Sequence, residues 1–445
     1  MLVVRTLGIV LLCSALATGC DAKREQPNVV LVLVDTLRAD RTSLHGYARA
    51  TTPRLDERAR AAVVFDAARS QASCTFPSVN SLLTSRGPQH FYDQPVNSWA
   101  IPADIPTLAE ILARNGWSTF AVSASSVVRA TPSDVNHTGG YGAGFATFDE
   151  SCERRDATCV NVRALALARA ARPPFFAYLH YMDPHHPYSP PPGGRHFAKA
   201  DPTMPRRIRA GDPGPILASI YAKHEKRDWS REVAYLSDSY DDEIRTLDGS
   251  LELLFGQIAR LGGGRDTVVV LASDHGEDFL EHGDLMHCRT LHDTSLHVPL
   301  VMWLPGVAAR RIATPVQNLD VVPTLLDYLG LDAEHEGLEG RSLRPLIEGR
   351  DDPAPVYAAL EAQRAIVDGR DKLVLDLDTG RSRLFDVVAD PGERTDLAAQ
   401  RPDRADALVR RLREYVARTE GADAHGAAKL SREVQDRLRA VGYLE

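Results

Sequence analysis

Residues 70–85 read SQASCTFPSVNSLLTS and place Cys74 and Thr75 side by side ahead of Phe76, Pro77 and Ser78. Either side chain can serve as a nucleophile, but the two need different help. A thiolate forms readily in an electropositive setting, whereas an alcohol needs a base or a metal ion to lower its pKa. A second set of groups lies elsewhere: Asp35 closes NVVLVLVD, Asp274 and His275 close DTVVVLASDH, and Asp183-Pro184-His185 closes PPFFAYLHYMDPH. Carboxylate oxygens with one imidazole form a hard donor set suited to a divalent cation. One Asp at a strand end is more often a cap or turn former; three strand ends carrying such groups point to a site. Pro77 favours a helix beginning near Pro77-Ser78, capped by a Thr or Ser hydroxyl that would sit among N–H groups and a dipole that hold phosphate or sulfate.

These groups need elements to bring them together. The three apolar runs read as strands buried on both faces of a parallel sheet, and ligands of open α/β sheets bind beyond the C-terminal strand ends. Helical patterns are predicted at 55–63, 106–115, 161–171 and 232–262. The alternation predicts a layered α/β fold, a mainly parallel central sheet flanked by helices. From about 346 to 420, short strand-like pieces between Asp/Gly turns predict a small antiparallel subdomain, completed by a charged helix at 402–419. Residues 421–445 read as a polar tail with a short helix. The Pro-, Gly- and Arg-rich stretch 190–230 reads as a solvated loop or as the rim of a substrate mouth.

The 445 residues suit one large domain with an appendage, and 44% apolar with 25% charged residues is ordinary globular composition. A net charge of −8 without a long single-sign run excludes a general nucleic-acid binder. MLVVRTLGIVLLCSALATGC has the form of a secretory signal over residues 1–20, too short for a convincing transmembrane helix. Its end, LATGC, is similar to a bacterial lipoprotein processing site, with Ala17 where Leu is usual and Cys20 as the lipidated residue. The expectation is an exported protein of the cell envelope or periplasm, tethered to a membrane by lipid without spanning it. Export permits disulfides, and Cys152 and Cys159 are spaced to close a small local loop.

PNVVLVLVDTLRADRTSLHGYARATTPRLDERARAAVVFDAARSQASCTFPSVNSLLTS resembles the opening of the sulfatase family, within the alkaline phosphatase superfamily. Similar blocks follow in order: PTLAEILARNGWST, HYMDPHHPY, SDSYDDEIRTLDGSLELLFGQI, SDHGEDFLEHGDLMHCRTLHDTSLHVPLVMWLPG and DVVPTLLDYLGL. GRSLRPLIEG, KLVLDL and LFDVVADPGERTDLA resemble the family's small C-terminal part. The resemblance runs from Pro27 to about residue 415, with a catalytic domain over 27–345. It implies that Asp35, Asp274 and His275, with Thr75, ligate one divalent cation, Ca2+ by family, with Mn2+ and Zn2+ as alternatives. It implies that His185 meets the substrate anion or leaving-group oxygen, and that His287 stands where relatives carry a Lys or His. Cys74 and Cys288 would then both lie near the metal, as a disulfide, a thiol pair or thiolate ligands.

The chain departs from the family pattern at several places. Sulfatases carry a Cys, oxidised to formylglycine, two residues before the Pro, and an Arg two after it; here Thr75 and Val79 occupy those positions. Thr36 stands where many relatives have a second Asp, and Ala124 and Ser126 where many have Lys and His. CTFPS is similar instead to the Thr-Phe-Pro of nucleotide pyrophosphatase/phosphodiesterases. The expected function is a metal-dependent hydrolase with Thr75 as nucleophile, acting on a sulfated or phosphorylated small molecule, glycan or lipid. The alternatives are a phosphoglycerol- or phosphoethanolamine-type transferase and a non-catalytic binder of anionic glycans.

Overall fold

The structure, a computed structural model, describes residues 25–420 apart from 93, 96, 153–155, 223–226, 262–263 and 333–336. The leader over 1–20, Cys20 and the tail over 421–445 lie outside the described residues. Strands β1 (Asn28–Val34), β2 (Val63–Phe65), β3 (Ser118–Ser123), β4 (Thr147–Asp149), β5 (Phe175–Tyr181), β6 (Thr267–Ser273), β7 (Leu300–Trp303) and β8 (Arg310–Ile312) form one eight-stranded sheet. Its order is β8-β2-β7-β6-β1-β5-β3-β4. Only β7 runs antiparallel to its neighbours.

The continuous apolar runs form the centre because β1 has a helical layer on each face. Val30, Val32 and Val34 pack with α3 (Ala157–Ala170) and α4 (Ser230–Ile258). Val29, Leu31 and Leu33 pack with α1 (Thr75–Thr84), α2 (Leu108–Arg114) and α5 (Val321–Leu329). Each such side chain removed from water contributes about 1.5–3 kcal/mol. Local signals fix the helix starts. Thr107 and Glu110 form a capping box on α2, and the Asp156 side chain accepts from Cys159 N at 2.7 Å at the head of α3.

Two sequence expectations need correction. The helix expected over 55–63 spans Pro53–Arg58 and is followed by a 3-10 turn. Val63-Val64-Phe65, β-branched and aromatic, joins the sheet instead. The stretch 190–230 is not simply a solvated loop, since it contains short helices at Arg206–Arg209 and Gly214–Ala222 that bury Ile208 and Ile216. Asp242 on α4 holds its beginning, accepting from the backbone N–H groups of His196, Phe197 and Ala198 at 2.6–3.0 Å.

The C-terminal part is a meander of β9 (Val356–Leu360), β10 (Gln363–Asp368), β11 (Asp371–Asp376) and β12 (Ser382–Asp386). Its outer face is covered by α6 (Pro402–Thr419) through Leu408 and Leu412. Its inner face packs Ala358, Val374 and Phe385 on Leu291 and Leu296 of the larger part. At the other end of the molecule the chain enters β1 where Trp117 Nε1 donates to Pro27 O at 3.0 Å. That entrance is the sheet edge opposite Asp35.

Candidate active site

Register alone builds the centre of the site. Val34 pairs with both Tyr181 and Ser273, so the next residues of β1 and β6, Asp35 and Asp274, emerge side by side. The chain then turns at Thr36, where a β-branched residue sits at a φ of 58°, a conformation costing on the order of 1–3 kcal/mol. The turn is held from both sides: Thr36 N donates to Asp274 Oδ1 at 3.2 Å, and Tyr240 Oη donates to Thr36 O at 2.7 Å.

His275 Nδ1 lies 2.8 Å from Gly276 O. A carbonyl can only accept, so Nδ1 carries the proton and Nε2 presents its lone pair to the carboxylates. Nε2 is 3.5 Å from Asp274 Oδ2 and 3.8 Å from Asp35 Oδ1. Both of those carboxylate oxygens are buried and accept no hydrogen bond from the described residues. Two orphaned anionic oxygens and one imidazole, their ligand atoms all within 4.8 Å of one another, fit a divalent cation. Burial and the charge of Asp35 push Asp274 up to about 6. Burial also acts to raise Asp35, but a hydrogen bond from His180 and the nearby His185 and His275 hold it below the usual range.

Thr75 opens α1 and is buried, with Oγ1 at 3.2 Å from His275 Nε2. Cys74 is the extended residue at the helix N-cap and is disulfide-bonded to Cys288; Cys152 is bonded to Cys159. His287 faces the same centre, its ring 4.6 Å from that of His275 and 5.2 Å from that of His185. His287 Nδ1 meets Glu277 Oε1 at 2.8 Å, and Tyr188 Oη donates to Glu277 Oε2 at 2.9 Å. Burial opposes the imidazolium, but the Glu277 carboxylate outweighs it and raises His287. His185 Nδ1 donates to His186 O at 2.8 Å.

The structure thus brings together Asp35, Thr75, His185, Asp274, His275 and His287. Val79 instead packs into the core beneath α1. Sequence reasoning missed Glu277, two residues beyond His275, and His180, whose Nε2 lies 3.3 Å from Asp35 Oδ2. Tyr178 Oη is 3.1 Å from His180 Nδ1, a contact consistent with Nε2 donating to Asp35. The available signals were an imidazole inside a buried strand and a carboxylate in the DHGED run.

The sulfatase family model matches residues 27–331, and a second model, N-sulphoglucosamine sulphohydrolase, C-terminal, matches residues 281–420. A Delta 4,5-hexuronate-2-O-sulfatase of Bacteroides thetaiotaomicron is 24% identical over 97% of this chain and 96% of its own length. A choline-sulfatase of Rhizobium meliloti is 29% identical over 58% of this chain, which spans only 54% of that relative's length. Among solved structures, the phosphonate monoester hydrolase of Agrobacterium radiobacter shares the fold at a TM-score of 0.69 and 22% identity, covering 88% of this chain and 96% of its own. Fold, sequence and the order of the matched segments agree: this chain belongs to the sulfatase family of ester hydrolases.

Proposed function

We propose that this chain hydrolyses a sulfate or phosphate ester through a covalent ester on Thr75, at a centre where Asp35, Asp274, His275 and Thr75 hold one divalent cation, Ca2+ by family. One observation carries the reading. A hydroxyl at a helix N-terminus lies 3.2 Å from His275 Nε2, beside two buried carboxylate oxygens with no hydrogen-bond partner among the described residues. When bound, the cation lowers the pKa of the Thr75 hydroxyl and neutralises the anionic oxygens of the ester.

The remaining steps belong to side chains. Thr75 Oγ1, its proton given up to solvent, forms a bond to S or P as the bond to the leaving oxygen breaks. His287, held through Nδ1 by Glu277, passes a proton to that oxygen, and His185 steadies the anion. Water then attacks the same S or P, His287 takes up one of the water's protons, and Thr75 leaves as the alkoxide in which it began. A threonine ester cannot collapse to an aldehyde as the formylglycine hydrate of other sulfatases does. That difference favours phosphate mono- or diesters over sulfate esters. The names of the relatives point to anionic esters of sugars and small molecules. The leader supports export, with a lipid on Cys20 as a tether.

The experiment assays nitrophenyl sulfate, phosphate, phosphonate and diester substrates with Ca2+, Mn2+ or Zn2+, alongside Thr75→Ala. The expected outcome is metal-dependent turnover of at least one ester, lowered about 1,000-fold or more by the substitution. Turnover that survives Thr75→Ala would overturn the nucleophile.

A further inference from the structure

Thr75 and His287 arrive at the site from distant parts of the chain, yet they flank one covalent link. Cys74 immediately precedes Thr75 and Cys288 immediately follows His287, and their disulfide holds the two Cα atoms 4.8 Å apart. The same two segments are joined by Cys288 N donating to Ser73 O at 2.8 Å and Ser70 N donating to Leu296 O at 2.9 Å. Arg69 grips Asp293 with two bonds of 3.0 and 2.6 Å. Asp35, Asp274 and His275 take no part in this joint; sheet register, Thr36 and Gly276 fix them.

The backbone around His287 needs such a joint. Met286 and Cys288, on either side of it, have φ values of 71° and 65°, both in the left-handed region. Residues with side chains stay there only where their surroundings over-determine the conformation. Glu277 sets the rotation of the His287 ring; its backbone is placed on one side by the pairing of Met286 with Asp278 and on the other by the disulfide and the Cys288–Ser73 bond.

We propose that the Cys74–Cys288 disulfide is a positioning element of the reaction, fixing His287 against Thr75, while the other three metal ligands, Asp35, Asp274 and His275, are placed without it. The inference rests on the reading of Thr75 as nucleophile and His287 as proton donor. Losing the link would displace the donor from the leaving oxygen, a misplacement that costs most when the leaving group is a poor one.

The test uses the full chain with Cys74→Ser/Cys288→Ser, with Cys152→Ser/Cys159→Ser as a control and His287→Ala as a reference. Each is assayed on a nitrophenyl ester and an alkyl ester of the class that the wild type cleaves. The expected result is a kcat lowered about 10–100-fold on the alkyl ester and far less on the nitrophenyl ester. KM and Ca2+ affinity stay within about twofold of wild type, and adding His287→Ala changes little more. An unchanged kcat, an equal loss on both esters, or an equal loss in the control overturns the proposal. If the double serine variant does not fold, the control variant is reduced in its folded state with a dithiol. The dithiol closes to a cyclic disulfide as Cys74 and Cys288 each take up a hydrogen. The same two esters are then assayed: a loss confined to the alkyl ester supports the proposal, and no loss or an equal one overturns it. Wild-type turnover indifferent to Thr75→Ala would overturn both this proposal and its parent reading. A Thr75-dependent enzyme indifferent to the disulfide overturns this one alone.

Discussion

Asp35 and Asp274 stand on adjacent strands as two buried carboxylates, one held low and the other pushed up to about 6. Without a cation they repel each other; with one they attract it together. Asp274→Asn therefore has opposite effects in the two states. In chelator-treated protein the substitution leaves Tm unchanged or raises it, whereas the rise in Tm that Ca2+ or Mn2+ gives the wild type shrinks or disappears. Thermal scans with and without metal measure both, and a metal-induced rise as large as that of the wild type would remove Asp274 from the ligand set. At this scale the sequence was informative wherever a functional residue ended an apolar run. Asp35, Asp274 and His275 do so. Glu277 and His180 act through contacts across the fold, and nothing in their local sequence says which partner they meet.

The elements were legible for a related reason. β1, β5 and β6 are buried on both faces, so their sequences are apolar almost without interruption. α6 is solvated on one side and carries a clear helical period. The short pieces were not legible: Val63–Phe65 is a strand because β7 and β8 pair with it, not because of its own length. The same dependence on partners governs Lys372 on β11, fully buried with Nζ at 2.7 Å from Asp293 and 2.8 Å from Glu393. Asp293 is also the partner of Arg69, so one ionic cluster ties β11 to the stretch of chain that leads into Thr75. Removing one member strands the opposite charges in the interior. Lys372→Met is expected to cost about 3–5 kcal/mol in chemical denaturation. A loss under about 1 kcal/mol would mean that the cluster is rewired rather than broken.

Stability of the whole molecule carries a pH signature. Burial pushes Asp278 up to about 7 despite hydrogen bonds from Ser295 and Thr294. Half-buried Asp183 and buried Asp320 are pushed up by desolvation to about 7 and about 6. Each therefore keeps a proton in the folded state that the unfolded chain releases near pH 4. The folded state binds more protons between those values, so these groups make stability fall as pH rises from about 4 to about 7, with no further change above. Asp278→Asn mimics the protonated acid. It should lessen the stability lost between pH 4 and 8 by on the order of 4 kcal/mol in denaturant titrations. A pH dependence unchanged by the substitution would show that Asp278 is ionised in the fold.

The entry of the chain into β1 has a consequence for where substrate comes from. Pro27, held by Trp117, lies at the edge of the sheet opposite Asp35, and the seven residues of β1 separate the two by about 23 Å. A lipid on Cys20, as proposed, would hold the molecule by that lower edge, with the Asp35 end of β1 turned outward from the bilayer. In that posture the enzyme faces the aqueous compartment: headgroups of its own membrane lie behind it, and soluble esters reach it by diffusion.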